Sequence, residues 1–185
     1  MAMTNDTKVS SPATEFVDRL ATLPRGELAI LKRNANNTLS ESRNAIGIFY
    51  RLLPPSKQNG PDEEIYFLVA TLYGCNKYSG TGDFGLVMRR VKGSTGDAVG
   101  SGVDRRMSIL LDSEFGLIDG YRHGGGEMAY RMRQCVLLAG NKEVGIDWEQ
   151  LLHDLCRWQQ PGKRVRKQWA RSYFGIQASQ ENQSN

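Results

Sequence analysis

Apolar residues along this chain recur every three or four positions, segment after segment, and nowhere sustain an alternation of two. A helix turns about 100° per residue, so such spacing collects apolar side chains on one face; a half-buried strand would need alternation. Phe16, Val17 and Leu20 share a face, as do Ile46, Phe49, Tyr50 and Leu53. The same spacing joins Val103, Met107, Leu110 and Leu111, then Met128, Met132, Cys135, Val136 and Ala139, then Trp148, Leu151, Leu152 and Leu155. Val165, Trp169 and Tyr173 form a narrower stripe. No repeat of fixed length is present. The pattern predicts an all-α protein of eight to nine helices, as one domain or two small helical bundles. We expect bundles over 12–95 and 96–176, flanked by disordered tails at 1–11 and 177–185.

The boundaries follow from punctuation. Pro12 opens a first helix to Leu23, and Pro24 restarts it as far as Arg33, where Lys32 and Arg33 suit the negative end of the helix dipole. Pro54–Pro55 ends the helix that starts at Asn44. Residues Asp62–Tyr73 are rich in aromatic and β-branched side chains, as a strand would be. Yet Pro61 stands at a first helical position, Asp62, Glu63 and Glu64 fill the first turn, and Gly74 follows, which predicts a helix. A short basic helix is expected over Asp83–Val91, then a flexible break over Gly93–Gly102. Ser101-x-x-Asp104 is a candidate capping box, and Asp147 a candidate N-cap. Pro161–Gly162 separates the last two helices, and the final one exposes Lys163, Arg164, Arg166, Lys167 and Arg171 opposite its apolar stripe.

With 185 residues the chain can bury a sizeable core. Its net charge of +4 is small, so the placement of charge matters more than its total. Three widely spaced cysteines, Cys75, Cys135 and Cys156, form no CxxC pair and read as buried free thiols in a reducing cytoplasm. No apolar run approaches the length of a membrane span, and none resembles a signal peptide, so no membrane partner is expected.

Motifs for catalysis lack their companions. Gly80-Thr-Gly-Asp-Phe-Gly85 matches the GxGxxG pattern, but no strand precedes it and no HRD or DFG sequence exists, so a tight interhelical turn is expected. His123-Gly-Gly-Gly126 resembles an esterase oxyanion loop without the GxSxG nucleophile elbow such enzymes need. His153 and Asp154 are adjacent on a helix and point apart. No Cys/His spacing suits a metal, and no cofactor is expected. The chain is read as a non-enzyme.

Cations remain. Lys32–Arg33, Phe49-Tyr50-Arg51, Arg105–Arg106 and Arg131-Met-Arg133 stand beside aromatics or at helix ends, and Arg89 and Arg90 lie in an acid-free run. Arginine grips phosphate bidentately and aromatic rings stack on bases, so these residues are candidates for nucleic-acid contact.

The pieces FVDRLATLPRGELAILKR, IGIFYRLLPP, VDRRMSILLD, YRMRQCVLLAG, IDWEQLLHDLCRW and VRKQWARSYF, in that order, span Phe16 to Phe174. Together they resemble the CasB-type small subunit of the type I-E CRISPR Cascade complex. The resemblance implies an all-helical, non-catalytic, cytoplasmic protein of antiviral defence. Two copies would line a ribonucleoprotein beside its backbone and large subunits. There they would hold CRISPR RNA, the target strand and the displaced DNA strand, stabilising the R-loop. It also implies roles for Lys32, Arg33, Arg51, Arg105, Arg106, Arg131 and Arg133 as basic contacts; Arg89 and Arg90 are added from charge alone. Two other classes stay open: a helical protein–protein adaptor whose cations are only solvated, and a nucleotide-binding enzyme using the Gly80–Gly85 loop.

Overall fold

The computed structural model describes residues 10–96 and 102–175. Of the expected tails at 1–11 and 177–185, residues 1–9 and the whole second tail lie outside the described residues, as do residue 176, residues 97–101 of the glycine-rich break and the Ser101 cap; Ser10 and Ser11 are described, and Ser11 caps α1. Among those described, nine α-helices build the molecule: α1 (Pro12–Ala21), α2 (Arg25–Arg33), α3 (Ile46–Leu52), α4 (Glu63–Tyr73), α5 (Phe84–Thr95), α6 (Gly102–Asp112), α7 (Gly126–Asn141), α8 (Trp148–Cys156) and α9 (Arg164–Phe174). The all-α expectation holds, apart from one small hairpin described below.

Helix starts follow local chemistry. Ser11, Asp83 and Asp147 accept from the backbone N–H three residues on, at 3.0–3.1 Å, satisfying an amide the first turn leaves open. Helix α5 continues past the expected stop at Val91 to Thr95 and ends on Gly96, whose φ of +66° is a left-handed cap. Only part of the glycine-rich break is therefore a break.

Helix α4 is the centre. Every residue from Ile65 to Leu72 is buried, which explains its strand-like composition: a helix covered on all sides needs no polar face. It packs against α2, α7 and α8, while α1 lies on α8 and α3. Helices α5, α6, α7 and α9 form a second group, with α5 running along α9. One continuous apolar core joins both groups. All three tryptophans are in it; the Trp158 indole N–H donates to the Ser113 carbonyl at 2.9 Å and that of Trp169 to Asp154 at 2.6 Å.

The GxGxxG glycines serve close packing. A Cβ on Gly85 would collide with the Trp169 carbonyl on α9, and Gly80 lies against Gly145. There Gly80 N–H donates to the Ile146 carbonyl and Ile146 N–H to that of Tyr78, both at 3.0 Å.

The stretch between α6 and α7 departs from an all-helical reading. Leu117–Ile118 and Tyr121–Arg122 pair antiparallel, Leu117 with Arg122 and Ile118 with Tyr121. Asp119 and Gly120 make the turn at φ +51° and +82°, two left-handed residues whose twist suits a two-residue hairpin. Strands of two residues are too short to show an alternation; the Asp-Gly pair was the available signal.

Candidate nucleic-acid interface

Helix α7 brings expected cations together. On its helical wheel, Met128, Met132, Cys135, Val136 and Ala139 are buried, which turns Tyr130, Gln134 and Asn141 outward. Arg131 and Arg133, two positions apart, project to opposite flanks of that ridge. On one flank Arg131 meets Arg106 of α6. These two arginines, with Ile109, Tyr130, Gln134 and Cys135, line a cleft of about 180 Å³. The Arg131 guanidinium lies 5.4 Å from the Tyr130 ring centroid and 3.4 Å from Glu127, one turn earlier. On the other flank Arg133 reaches the Cys75 thiol just past α4, beside Lys32 of α2. Helix α2 comes this close because a Cβ on Gly74 would stand 2.7 Å from the Leu28 carbonyl.

The result is a band: Arg106 and Arg131, then Tyr130 and Gln134, then Arg133 and Lys32. Glu127 is the only acid ion-paired to any of these cations among the described residues. The Nε atoms of Arg131 and Arg133 are buried without a protein partner. The thiols beneath are inert. Burial pushes Cys135 up to about 12 against the opposing charges of Arg106 and Arg131, and raises Cys75 despite Arg133 and Lys32. Neither is a thiolate at neutral pH.

The other expected residues lie elsewhere or alone. Arg33 and Arg105 are exposed beside Lys32 and Arg106 in sequence. Arg51 is exposed but engaged with Glu27 across α2 and α3 at 2.6 Å. Arg89 donates to the carbonyls of Gly175 and Ser172, at 3.0 and 3.5 Å, closing the end of α9. Arg90 donates to the Thr81 carbonyl at 2.8 Å. These last two hold backbone in place.

One family model, that of CRISPR-associated protein Cse2, matches residues 27–174. The chain belongs to the Cse2 family. A Cse2 protein from Thermus thermophilus is 33% identical over 120 residues, 65% of this chain and 62% of the relative, so the match spans less than two thirds of that relative. Among solved structures, a Cse2-family protein from Thermus thermophilus superposes with a TM-score of 0.67 at 27% identity, covering 90% of this chain and 99% of the other. M. ruber CasB gives a TM-score of 0.68 at 21% identity, covering 89% and 93%; at that distance it shows the fold.

The Cse2 fold also corrects the expectation for α9. Its five cations do not all face outward. Arg166 is 7% exposed, lies 5.0 Å over Trp158, donates to the Leu111 carbonyl at 3.4 Å, and pairs with Glu114. It closes the C-terminal end of α6, while Lys163, Arg164, Lys167 and Arg171 stay exposed. The wheel contained the warning, because Arg166 falls about 20° beyond Tyr173, at the very edge of the apolar arc. Sequence reasoning also missed Tyr130 and Gln134. The signal for Tyr130 was the same aromatic–arginine adjacency that singled out Arg51.

Proposed function

We propose that this Cse2-family chain is the non-catalytic small subunit of a type I-E Cascade ribonucleoprotein. In this reading it works in the cytoplasm beside the backbone and large subunits and a second copy of itself. It holds CRISPR RNA and DNA strands through backbone phosphates. The observation that carries the reading is the band across α7, where four cations from three helices surround an exposed tyrosine with one acid among them. Guide pairing supplies sequence choice in such a complex, so its proteins need shape and charge rather than base readout. Arg106, Arg131, Arg133 and Lys32 supply charge, and Tyr130 supplies a face on which a base can stack.

The test is salt-titrated binding of single-stranded DNA and RNA to the purified protein. Four single-strand phosphate contacts give a slope near 3 in log K against log salt, about 0.7 for each contact. The quadruple substitution Lys32→Gln, Arg106→Gln, Arg131→Gln, Arg133→Gln should flatten it while the melting temperature holds. A protein–protein adaptor would show negligible affinity at low salt, and that result would end this reading.

A further inference from the structure

Among the described residues, the three most exposed large apolar side chains sit together on the hairpin, and none of them lines the Arg106–Arg131 cleft. On the hairpin, Leu117 and Tyr121 are each 62% exposed and Ile118 53%. Tyr121 continues into a groove of about 530 Å³ floored by Leu39, Ile46 and Tyr50 and edged by Glu63 and Glu64. Large side chains left this open on one face mark an interaction surface.

Its charge is opposite to that of the α7 band. Glu63 accepts from the Tyr50 hydroxyl and from Asn59 N–H, and Glu64 accepts from the N–H groups of Leu39 and Gly124, at 2.6–3.1 Å where the amides donate. Neither has a cationic partner among the described residues. Asp119 adds an exposed acid at the hairpin tip. The one cation among the lining residues is spent: Arg122 turns inward, pairs with Asp62 at 2.5 Å and donates to the Leu155 and Cys156 carbonyls at the end of α8. Exposed tyrosines alone could stack on bases, but carboxylates without counter-cations repel phosphate. Two copies meeting through this same patch would oppose like charges.

We infer that the hairpin and its groove dock an apolar, Lys- or Arg-bearing segment of a companion protein subunit. Charge complementarity selects that occupant, and the inference rests on the proposed membership of a multi-subunit complex. Protein contact and nucleic-acid contact then occupy separate, oppositely charged faces.

The test uses the complex reconstituted from this chain, CRISPR RNA and the companion subunits of the same organism. Tyr121→p-benzoylphenylalanine is photo-activated and its cross-linked peptide sequenced. We expect a peptide of another protein subunit, carrying Lys or Arg among apolar residues. The double variant Ile118→Asp, Tyr121→Asp should lower retention of the chain in the complex about tenfold. Its melting temperature and single-stranded DNA affinity should match the parent. Cross-linking to nucleic acid, to a second copy, or to nothing would overturn the docking surface, as would unchanged retention. Loss of DNA binding in the parent protein would instead strike the function proposed above.

Discussion

Two helices of this protein carry the same arginine pattern and use it differently. Helix α7 contains Arg131-Met-Arg133 and helix α9 contains Arg164-Val-Arg166, each pair flanking a buried residue. On α7 the buried arc is centred opposite the ridge of Tyr130 and Gln134, so both arginines stand at its edges and reach neighbouring helices at the surface. On α9 the arc runs from Val165 through Trp169 to Tyr173; Arg166 falls only about 20° beyond its Tyr173 edge, while Arg164 falls about 100° outside its Val165 edge. The lesson is one of phase. A charged pair at fixed spacing has no role of its own; the position of the apolar stripe beside it decides whether it becomes a surface contact or an internal brace.

The comparison can be broken most forcefully at the stripe itself. Trp169→Ala removes an indole that is fully buried, packs 4.8 Å from Trp158 and donates to Asp154. It should cost about 3–5 kcal/mol in chemical denaturation. Next comes the internal arginine. Arg166→Ala should cost about 2 kcal/mol, through lost packing on Trp158 and a lost ion pair whose Glu114 side is half-exposed and so partly screened. Arg164→Ala should change stability by less than about 0.5 kcal/mol, as expected for a surface site. Equal effects from the two arginines would refute the phase argument.

On α7 the same substitutions should act on binding. Arg131→Gln or Arg133→Gln should each weaken single-stranded DNA several-fold at low salt and reduce the salt slope by about 0.7. Arg89→Gln should leave the slope alone and lower the melting temperature, because its partners are backbone carbonyls.

The smallest effect concerns pH. Burial raises the Asp154 carboxyl above its ordinary 3.8, although donations from Trp169 and Gln150 oppose the rise. The folded state then binds a proton more tightly than the unfolded state. Stability should fall as pH rises from the ordinary aspartate value through the raised one. Asp154→Asn should remove that slope from a urea-denaturation series across mildly acidic pH.

Much of the fold was legible because helix spacing and punctuation agree. Pro12, Asp83 and Asp147 stand where helices begin, and the acidic first turn before Ile65 outweighed the strand-like composition of α4. What escaped depends on contacts between segments distant in sequence. The extension of α5 to Thr95 is allowed by packing along α9, and a hairpin with two-residue strands leaves no period to detect. For the candidate site, every cation of the α7 band was visible as a residue type. That Arg106, Arg131, Arg133 and Lys32 converge, while Arg89 and Arg90 brace backbone, depends on how α2, α6 and α7 cross.

The order in which those helices are made has a consequence for biosynthesis. Helix α8 fills the space between α1 and α4, and α9 completes the group begun by α5, yet both are translated after the helices they cover. A nascent chain halted after α7 would lack both helices and leave parts of the one continuous core open to water. Folding of both groups therefore waits on α8 and α9. Until then the emerging polypeptide is a natural client for chaperones that shield apolar surface.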